Sequence, residues 1–582
     1  MEISSGPGDR MKLPRSGFEH EISSAAPNQN RDEEKHGQTA HLDSDKHEYS
    51  TTLSDSTGDD DASTIHQPEG GLPLSRGQSM SRTVSEIRDG IQNQRDLELG
   101  DDVIEKSPTV RPDDPNLIKW TGPDDPENPK NWTHRRKWAA VFCVSCFTLL
   151  SPVASSMVAP GLPQISRDLQ ITEEIESALV LSIFVAAYAV GPLIWGPLSE
   201  LYGRAIILQL SNLFFLFFNL GCGLARTSVQ MFVFRFLAGI GGSAPLAIGG
   251  GVLGDLFTAE ERGKAMSIYS LMPLLGPALG PIAGGWVSER TTWRWVFYST
   301  TIADGLVQVA GVFFLQETYA PVLLQRKKVA LIKETGNTNL VTEYDDPNKT
   351  VTQTLITALT RPFRLLFTQP IVQVMSLYMM YLYGLTYLIL STFASLWATQ
   401  YHERPGIAGL NYLSLGLGFF LGAQTCAPLQ DRIYAALKRR YVPDGGPGRP
   451  EFRVPLLVPG SILLPIGIFI YSWTAEAHTH WIGPNIGAVV FGFGIIIGFQ
   501  CIQGYMVDSY TRYAASAVGA VTVLRSLAGF GFPLFAPAMY NKLGYGIGGT
   551  VLASIAIGIG FPSPIFLWFY GPKLRAASKF AA

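Results

Sequence analysis

Twelve stretches of about 20 mostly apolar residues recur along this chain of 582, and they leave few folds open. A helix needs ~20 such residues to cross a hydrocarbon core ~30 Å thick. The runs fall at 138–160, 176–198, 205–225, 229–254, 265–288 and 294–316, then, after a polar gap, at 367–392, 407–429, 454–474, 482–506, 516–540 and 546–570. Lipid cannot satisfy exposed main-chain N–H and C=O groups, so these segments are predicted to be helices and not open strands. The expected architecture is an all-α membrane protein of two six-helix bundles. Residues 128–318 form the first bundle, 319–366 a central loop, and 367–582 the second bundle with a short tail.

Charge divides the chain as clearly as hydropathy does. The net charge of −3 joins an acidic beginning to a basic remainder: residues 1–115 hold 24 acidic and 12 basic side chains, the rest 24 and 33. The beginning is rich in Ser, Asp, Glu, Gly and Gln and cannot bury enough apolar surface to offset its ordering entropy. Residues 1–127 therefore read as an acidic, disordered tail. It lacks the apolar core of a secretory signal. Its Arg76-x-x-Ser79 and Arg82-x-x-Ser85 patterns suit basic-directed phosphorylation.

The stretch Glu127 to Trp138, ENPKNWTHRRKW, poses a question of sides. Asn131-Trp132-Thr133 is a glycan acceptor pattern, which belongs outside, while Arg135, Arg136 and Lys137 belong inside. Lys and Arg counted over alternate loops decide it: the set containing Arg135 to Lys137, the central loop and the C-terminal tail carries 23, the other set 6. The first set, with both termini, is placed in the cytoplasm. Neither Asn131 nor Asn348, in the second sequon, is then glycosylated, and Trp132 and Trp138 are expected as interfacial anchors.

Several chemistries find no support. No Gly-x4-Gly-Lys-Ser/Thr loop offers direct ATP coupling. No His/Cys/Glu cluster or nucleophile–base pairing marks an enzyme, metal site or cofactor site; His478 and His480 fall on an outer loop. Cys143, Cys146, Cys222, Cys426 and Cys501 all lie in predicted spans, where packing rather than a redox role is expected.

Particular motifs narrow the fold. GPLSELYGR, from Gly196 to Arg204, ends the second span. RFLAGIGG (Arg235 to Gly242) lies in the fourth, LLGPALGPIAGGW (Leu274 to Trp286) in the fifth, and LQDRIY, with Asp431 and Arg432, ends the eighth. With NPKNW, WRWVFY, ETYAPVLLQRK and VDSY…VLRSLAGFGFPLFAPAMY, these resemble the signatures of the major facilitator superfamily, in its fungal drug:H⁺ antiporter branch with twelve spans. The resemblance runs from about residue 128 to the end. Glu200 and Leu201 depart from the signature, where Asp and a first Arg are commoner. The resemblance implies roles. Glu200 and Arg204 would gate the cytoplasmic side against the start of span 11 near Ala515, and Asp431 with Arg432 would do the same against span 5. Ordinary interfacial anchoring is the plainer alternative. Gly276, Pro277, Gly280, Pro281, Gly284 and Gly285 would form one stripe sealing span 5 on span 8, or simply pack a kinked helix.

Ionisable groups within spans are costly and so are functional candidates. Arg235, Asp304 and Arg525 are the three. Asp304 is equipped to carry protons; otherwise it pairs permanently with Arg235 or stays a hydrogen-bonded acid. Arg525 is expected to brace the second bundle. Tyr188, Asn219, Gln373, Tyr383, Tyr387, Gln424, Gln500, Gln503 and Tyr505 supply the polar and aromatic groups of a mostly apolar central cavity.

The resemblance thus implies a monomeric plasma-membrane exporter. It would expel a small hydrophobic compound (drug, fungicide or secondary metabolite) in exchange for protons, with no cofactor and no nucleic-acid partner. Uptake, polyamine-type transport and a non-transporting sensor on the same fold are the alternatives.

Overall fold

The computed structural model describes residues 115–122, 124–258, 261–345, 351–442 and 448–578. The tail to residue 114, with both phosphorylation patterns, and the Asn348 sequon lie outside them. Among the described residues, eleven helical stretches are long and apolar enough to cross a membrane. Spans 1 to 6 are His134–Ser156, Glu174–Tyr202, Arg204–Leu224, Ser228–Leu256, Arg262–Arg290 and Arg294–Phe314. Spans 7 to 10 are Pro370–Thr399, Tyr412–Tyr441, Leu457–Glu476 and Ile482–Ser509.

The last stretch, Ala514–Ala576, has 63 residues, far more than one crossing uses. It breaks at Gly544, whose φ of 72° and ψ of 173° are not helical. Glu476, at the end of span 9, accepts the N–H groups of Tyr545 (2.8 Å) and Gly546 (3.1 Å) just past the break. Span 11 therefore precedes Gly544 and span 12 follows it, giving the twelve crossings expected. Their ends define two faces. One carries the basic loops, including Arg135 to Lys137 and the central segment, and is termed the basic face.

Packing in each half follows from small residues that let main chains approach. Span 1 packs on span 5 and span 3 on spans 4 and 6; in the second half span 7 packs on span 11, and span 10 on spans 8 and 9. At Gly467 and Gly487 an added Cβ would lie 2.3 Å from the main-chain nitrogens of Phe491 and Tyr471, so spans 9 and 10 touch backbone to backbone. The large apolar side chains left exposed, among them Phe142, Phe217, Leu306, Phe313, Ile565 and Phe569, form the outer surface that lipid covers.

Two expected loop regions are more ordered than their composition suggests. Residues 115–127, assigned to the tail, fold back on the central segment. Strand β1 (Leu117–Ile118) pairs in parallel with β2 (Val341–Thr342). The central segment itself contains helices Ala320–Thr335 and Val351–Thr368. The fold-back is held by Asp125, whose carboxylate accepts the N–H groups of Thr121 (2.8 Å) and Glu127 (2.9 Å), and by Lys327, which reaches Glu127 (2.7 Å) and Asp125 (3.6 Å). Asn131 donates to the Asp125 carbonyl at 2.9 Å. Trp132 is buried under the Arg136 guanidinium (3.7 Å) and is not the lipid anchor expected of it.

The N–H groups of Thr121 and Glu127, the former's the stronger, hold the Asp125 carboxyl below its ordinary range. A depressed acid stabilises the folded form above the unfolded pKa and loses that contribution as the pH falls. The fold-back should therefore be intact at neutral pH and loosen below about pH 4. Hydrogen exchange of the Thr121 and Glu127 amides, followed from pH 7 to pH 3.5, checks this; no acceleration at the acid end beyond the intrinsic rate change would refute it.

Candidate functional site

At the basic face, Gly203 turns the chain from span 2 into span 3 with φ 110°, a conformation only glycine holds without strain. A Cβ there would also meet the Glu317 carboxylate at 2.1 Å. Glu317 accepts the N–H groups of Arg204 (2.9 Å), Ala205 (3.3 Å), Thr318 (3.0 Å) and Tyr319 (3.0 Å), so it caps the positive start of span 3. The Arg204 side chain donates to Ser199 Oγ at 3.0 Å, lies over the Tyr319 ring at 4.7 Å, and approaches Asp255 Oδ2 at 3.6 Å. Asp255 and Glu317 were missed in the sequence. The signals were an acid at the very end of span 4 and the Glu that opens ETYAPVLLQRK. Glu200 is half-buried at the end of span 2, the span that packs along span 11.

The second half repeats this arrangement with different residues. Arg453, just before span 9, binds Asp508 at the end of span 10 through Nε and Nη2, as Arg204 at the start of span 3 meets Asp255 at the end of span 4. The counterpart of Arg204 is thus Arg453 and not Arg432; Asp431 and Arg432 are exposed on the last turns of span 8. Beside this pair Glu451 accepts a fork from Arg575 (2.9 and 3.0 Å) and a bond from the Tyr505 hydroxyl at 3.3 Å, so Tyr505 does not line a cavity.

The glycines of span 5 form two stripes, not one. Added Cβ atoms at Gly276, Gly280 and Gly284 would meet span 1: Pro152 Cβ at 2.4 Å, Ser156 Oγ at 2.2 Å and the Met157 carbonyl at 2.0 Å. That stripe closes the first half on itself. The adjacent stripe, about 100° around the helix, faces the other half. A Cβ at Gly285 would lie 2.4 Å from the Pro405 carbonyl, one at Gly409 2.7 Å from the Pro281 carbonyl, and one at Gly416 2.4 Å from Ala278 Cβ. The Gly406 N–H donates to Glu289 Oε2 at 2.8 Å. Pro277 is half-buried one turn before Pro281, on the row that faces the seam. On the other side of the seam, Asn541 of span 11 donates to Glu174 of span 2 at 2.8 Å. These contacts seal the two halves at the face opposite the basic one.

Toward the middle of the seam the lining becomes aromatic and hydroxylic. Tyr188 shares a 2.6 Å hydrogen bond with Ser151, and Tyr387 one of 3.4 Å with Ser155 across the two halves. The rings of Tyr383 and Tyr387 are 5.0 Å apart, and Tyr383 lies 5.8 Å from Phe499. The Arg525 guanidinium stands 5.1 Å from the Tyr383 ring. Gln500 is half-buried, and Gln424 and Gln503 are exposed.

Other candidates lie elsewhere. Asn219 donates to the Phe297 carbonyl and to Thr300 and Thr301, tying span 3 to span 6; Gln373 donates to the Phe367 carbonyl at the basic face. Arg235 and Asp304 form no ion pair. Span 1 ends at Ser156, which leaves its last carbonyls without amide partners, and Arg235 satisfies two of them: Ala154 O at 3.0 Å and Ser155 O at 3.2 Å. Its Nε donates to Val180 O at 3.0 Å, and Phe184 lies 4.5 Å away. Asp304 is fully buried between spans 3 and 6. Its Oδ2 accepts from Asn212 at 3.2 Å, and Asn212 leads on to Gln308 (2.8 Å), which donates to Gln209 (2.7 Å). Among the described residues Oδ1 has no partner.

Two six-span halves that meet along such a seam, shut at one face, define a membrane transporter. The Major Facilitator Superfamily matches residues 144–533. The chain is 52% identical over 505 residues to the efflux pump vrtL of Penicillium aethiopicum, across 86% of this chain and 99% of that one. It is 42% identical over 468 residues to the efflux pump radE of Floropilus chiversii, across 80% and 86% of the two. In backbone it is similar to a D-xylose-proton symporter, with a TM-score of 0.53 over 76% of this chain and 99% of that one; at 16% identity this shows the fold alone. The chain belongs to the Major Facilitator Superfamily and fits its fungal exporter branch.

Proposed function

We propose that the protein expels a small, hydrophobic organic compound from the cytoplasm in exchange for protons, as a monomer in the plasma membrane. The observation that carries this is near-full-length similarity to efflux pumps, joined to a seam whose middle offers aromatic faces and hydroxyls. With the basic face in the cytoplasm, the sealed face is the outer one, and transport would open and close the two faces in turn. Substrate enters from the cytoplasm between the halves; the halves then rock, the basic face closes where Glu200 of span 2 lies along span 11, and the outer seal parts. A polyamine substrate is disfavoured, because among the described residues no carboxylate lies at mid-membrane depth on the seam.

Asp304 is the described carboxyl that lies within a span at membrane depth, and among the described residues no cation pairs with it. Such a group takes up and releases protons as its surroundings change. It sits behind the seam, so coupling would run through span 3 and span 6 rather than by competition with substrate. Asp304→Asn should keep the amide-bonded geometry and abolish the response of efflux to a pH gradient, leaving downhill exchange of substrate. Flux from proteoliposomes with and without a gradient tests this. Gradient-driven efflux at the wild-type rate in the variant would remove Asp304 from the mechanism.

A further inference from the structure

Two arginines lie at membrane depth, and the fold treats them in opposite ways. Arg235 is fully buried, with its Nε and both terminal nitrogens on main-chain carbonyls. Arg525 was expected to brace the second half, yet among the described residues its guanidinium has no carboxylate and no hydrogen-bond acceptor; its buried Nε is unpartnered. Its one contact of this kind is the Tyr383 ring, 5.1 Å away. Such a charge at membrane depth is costly. A brace would have recovered that cost through an acceptor. None is there.

Position says where the unspent donors face. Gly529, one helical turn from Arg525 and on the same side of span 11, is where this span meets both Tyr383 of span 7 and Val185 of span 2. Arg525 is therefore on the seam between the halves, one turn nearer the basic face. Beside it is a narrow crevice of the second half with room for about one water, lined by Met379, Gln503, Met506, Val518 and Thr522. The lining is apolar with an amide and a hydroxyl, and holds no acid. Asp508, the nearest acid along span 10, is held by Arg453. The Tyr383 and Tyr387 rings and Phe499 add an aromatic wall.

We infer that Arg525 is the recognition point for an acidic group on the substrate. The transported compound is then an organic anion: an aromatic body bearing a carboxylate or acidic phenol. The guanidinium fork takes the negative oxygen, in two parallel bonds where the group is a carboxylate. The Tyr383 ring holds one face of the fork, and the apolar and aromatic walls take the body. This reading rests on the proposed exporter function and names its substrate class.

The test uses the purified full chain in lipid nanodiscs with a matched pair of probes, 2-naphthoate and 2-naphthamide. Wild type should bind the acid about tenfold or more tightly than the amide, the gain expected of a charge-assisted fork. Arg525→Gln should bring the ratio to about one by weakening the acid alone, and Arg525→Lys should restore part of it. Equal loss of both probes in Arg525→Gln, or no change in either, would assign Arg525 to packing and overturn the inference. So would displacement of naphthoate by chloride with no dependence on the naphthyl body, which would mark an inorganic-anion site. Discrimination in binding without proton-linked flux in proteoliposomes would count against the exporter reading alone. Proton-driven efflux of neutral compounds at equal rates in wild type and Arg525→Gln would count against this inference alone.

Discussion

Gly285→Val should cut transport by tenfold or more while leaving both halves folded. The Cβ would meet the Pro405 carbonyl at 2.4 Å, about 1 Å inside normal contact, and a backbone oxygen has no rotamer by which to move aside. Overpacking of this kind costs about 1 to 3 kcal/mol. Here the cost falls on the state with the seam closed at the face opposite the basic one, because Gly285 and Pro405 belong to different halves. Each 1.4 kcal/mol is a factor of about ten in a two-state balance, so the population shifts toward the state open at that face. Cysteine pairs placed across the seam near Glu289 and Gly406 should cross-link less in the variant, while its melting temperature stays close to wild type. Gly284→Val gives the contrast. Its Cβ would press on the Met157 carbonyl of the same half, so it should lower the melting temperature as well.

Arg235→Ala should be the most destabilising single change in the first half. It strands the carbonyls of Ala154 and Ser155 at the end of span 1, each worth about 1 to 3 kcal/mol when left unpaired. It also empties the space of a large, fully buried side chain. Arg235→Lys should recover only part of this, since one ammonium cannot reach three carbonyls on two spans. Size-exclusion profiles after heating, in the same detergent, check the order wild type, Lys, Ala. An alanine variant as heat-resistant as wild type would show that the guanidinium is not what joins spans 1, 2 and 4.

What was legible in the sequence follows the physics of each signal. A span must be about 20 apolar residues long, so eleven helical stretches, one of them doubled at Gly544, lie where hydropathy put them. Which face of a helix meets which neighbour is not encoded in length. Six residues of span 5 read as one sealing stripe, yet the fourfold spacing of Gly276, Gly280 and Gly284 serves span 1, and only the adjacent stripe crosses the seam. Asp431 and Arg432 resemble a repeat of Glu200 and Arg204 because they are neighbours in sequence. In the second half, span 8 runs on to Tyr441, and the basic partner appears only at Arg453, after a longer connection. Asn219 read as a cavity group because it is polar and mid-span; its place seven residues after Asn212, on one helical face, pointed instead to span 6. Composition likewise hid the fold-back of residues 115–127, which depends on pairing with distant residues of the central segment.

In the proposed exchange, organic substrate and protons cross in opposite directions through one alternating seam. The most direct measurement is proton flux in proteoliposomes of the wild-type chain, read by a trapped pH dye while an aromatic acid moves down its own gradient. Protons should move against the substrate's direction in constant ratio, and an imposed pH gradient should drive substrate uphill. Substrate flux that carries no protons, or carries them in its own direction, would contradict the exchange.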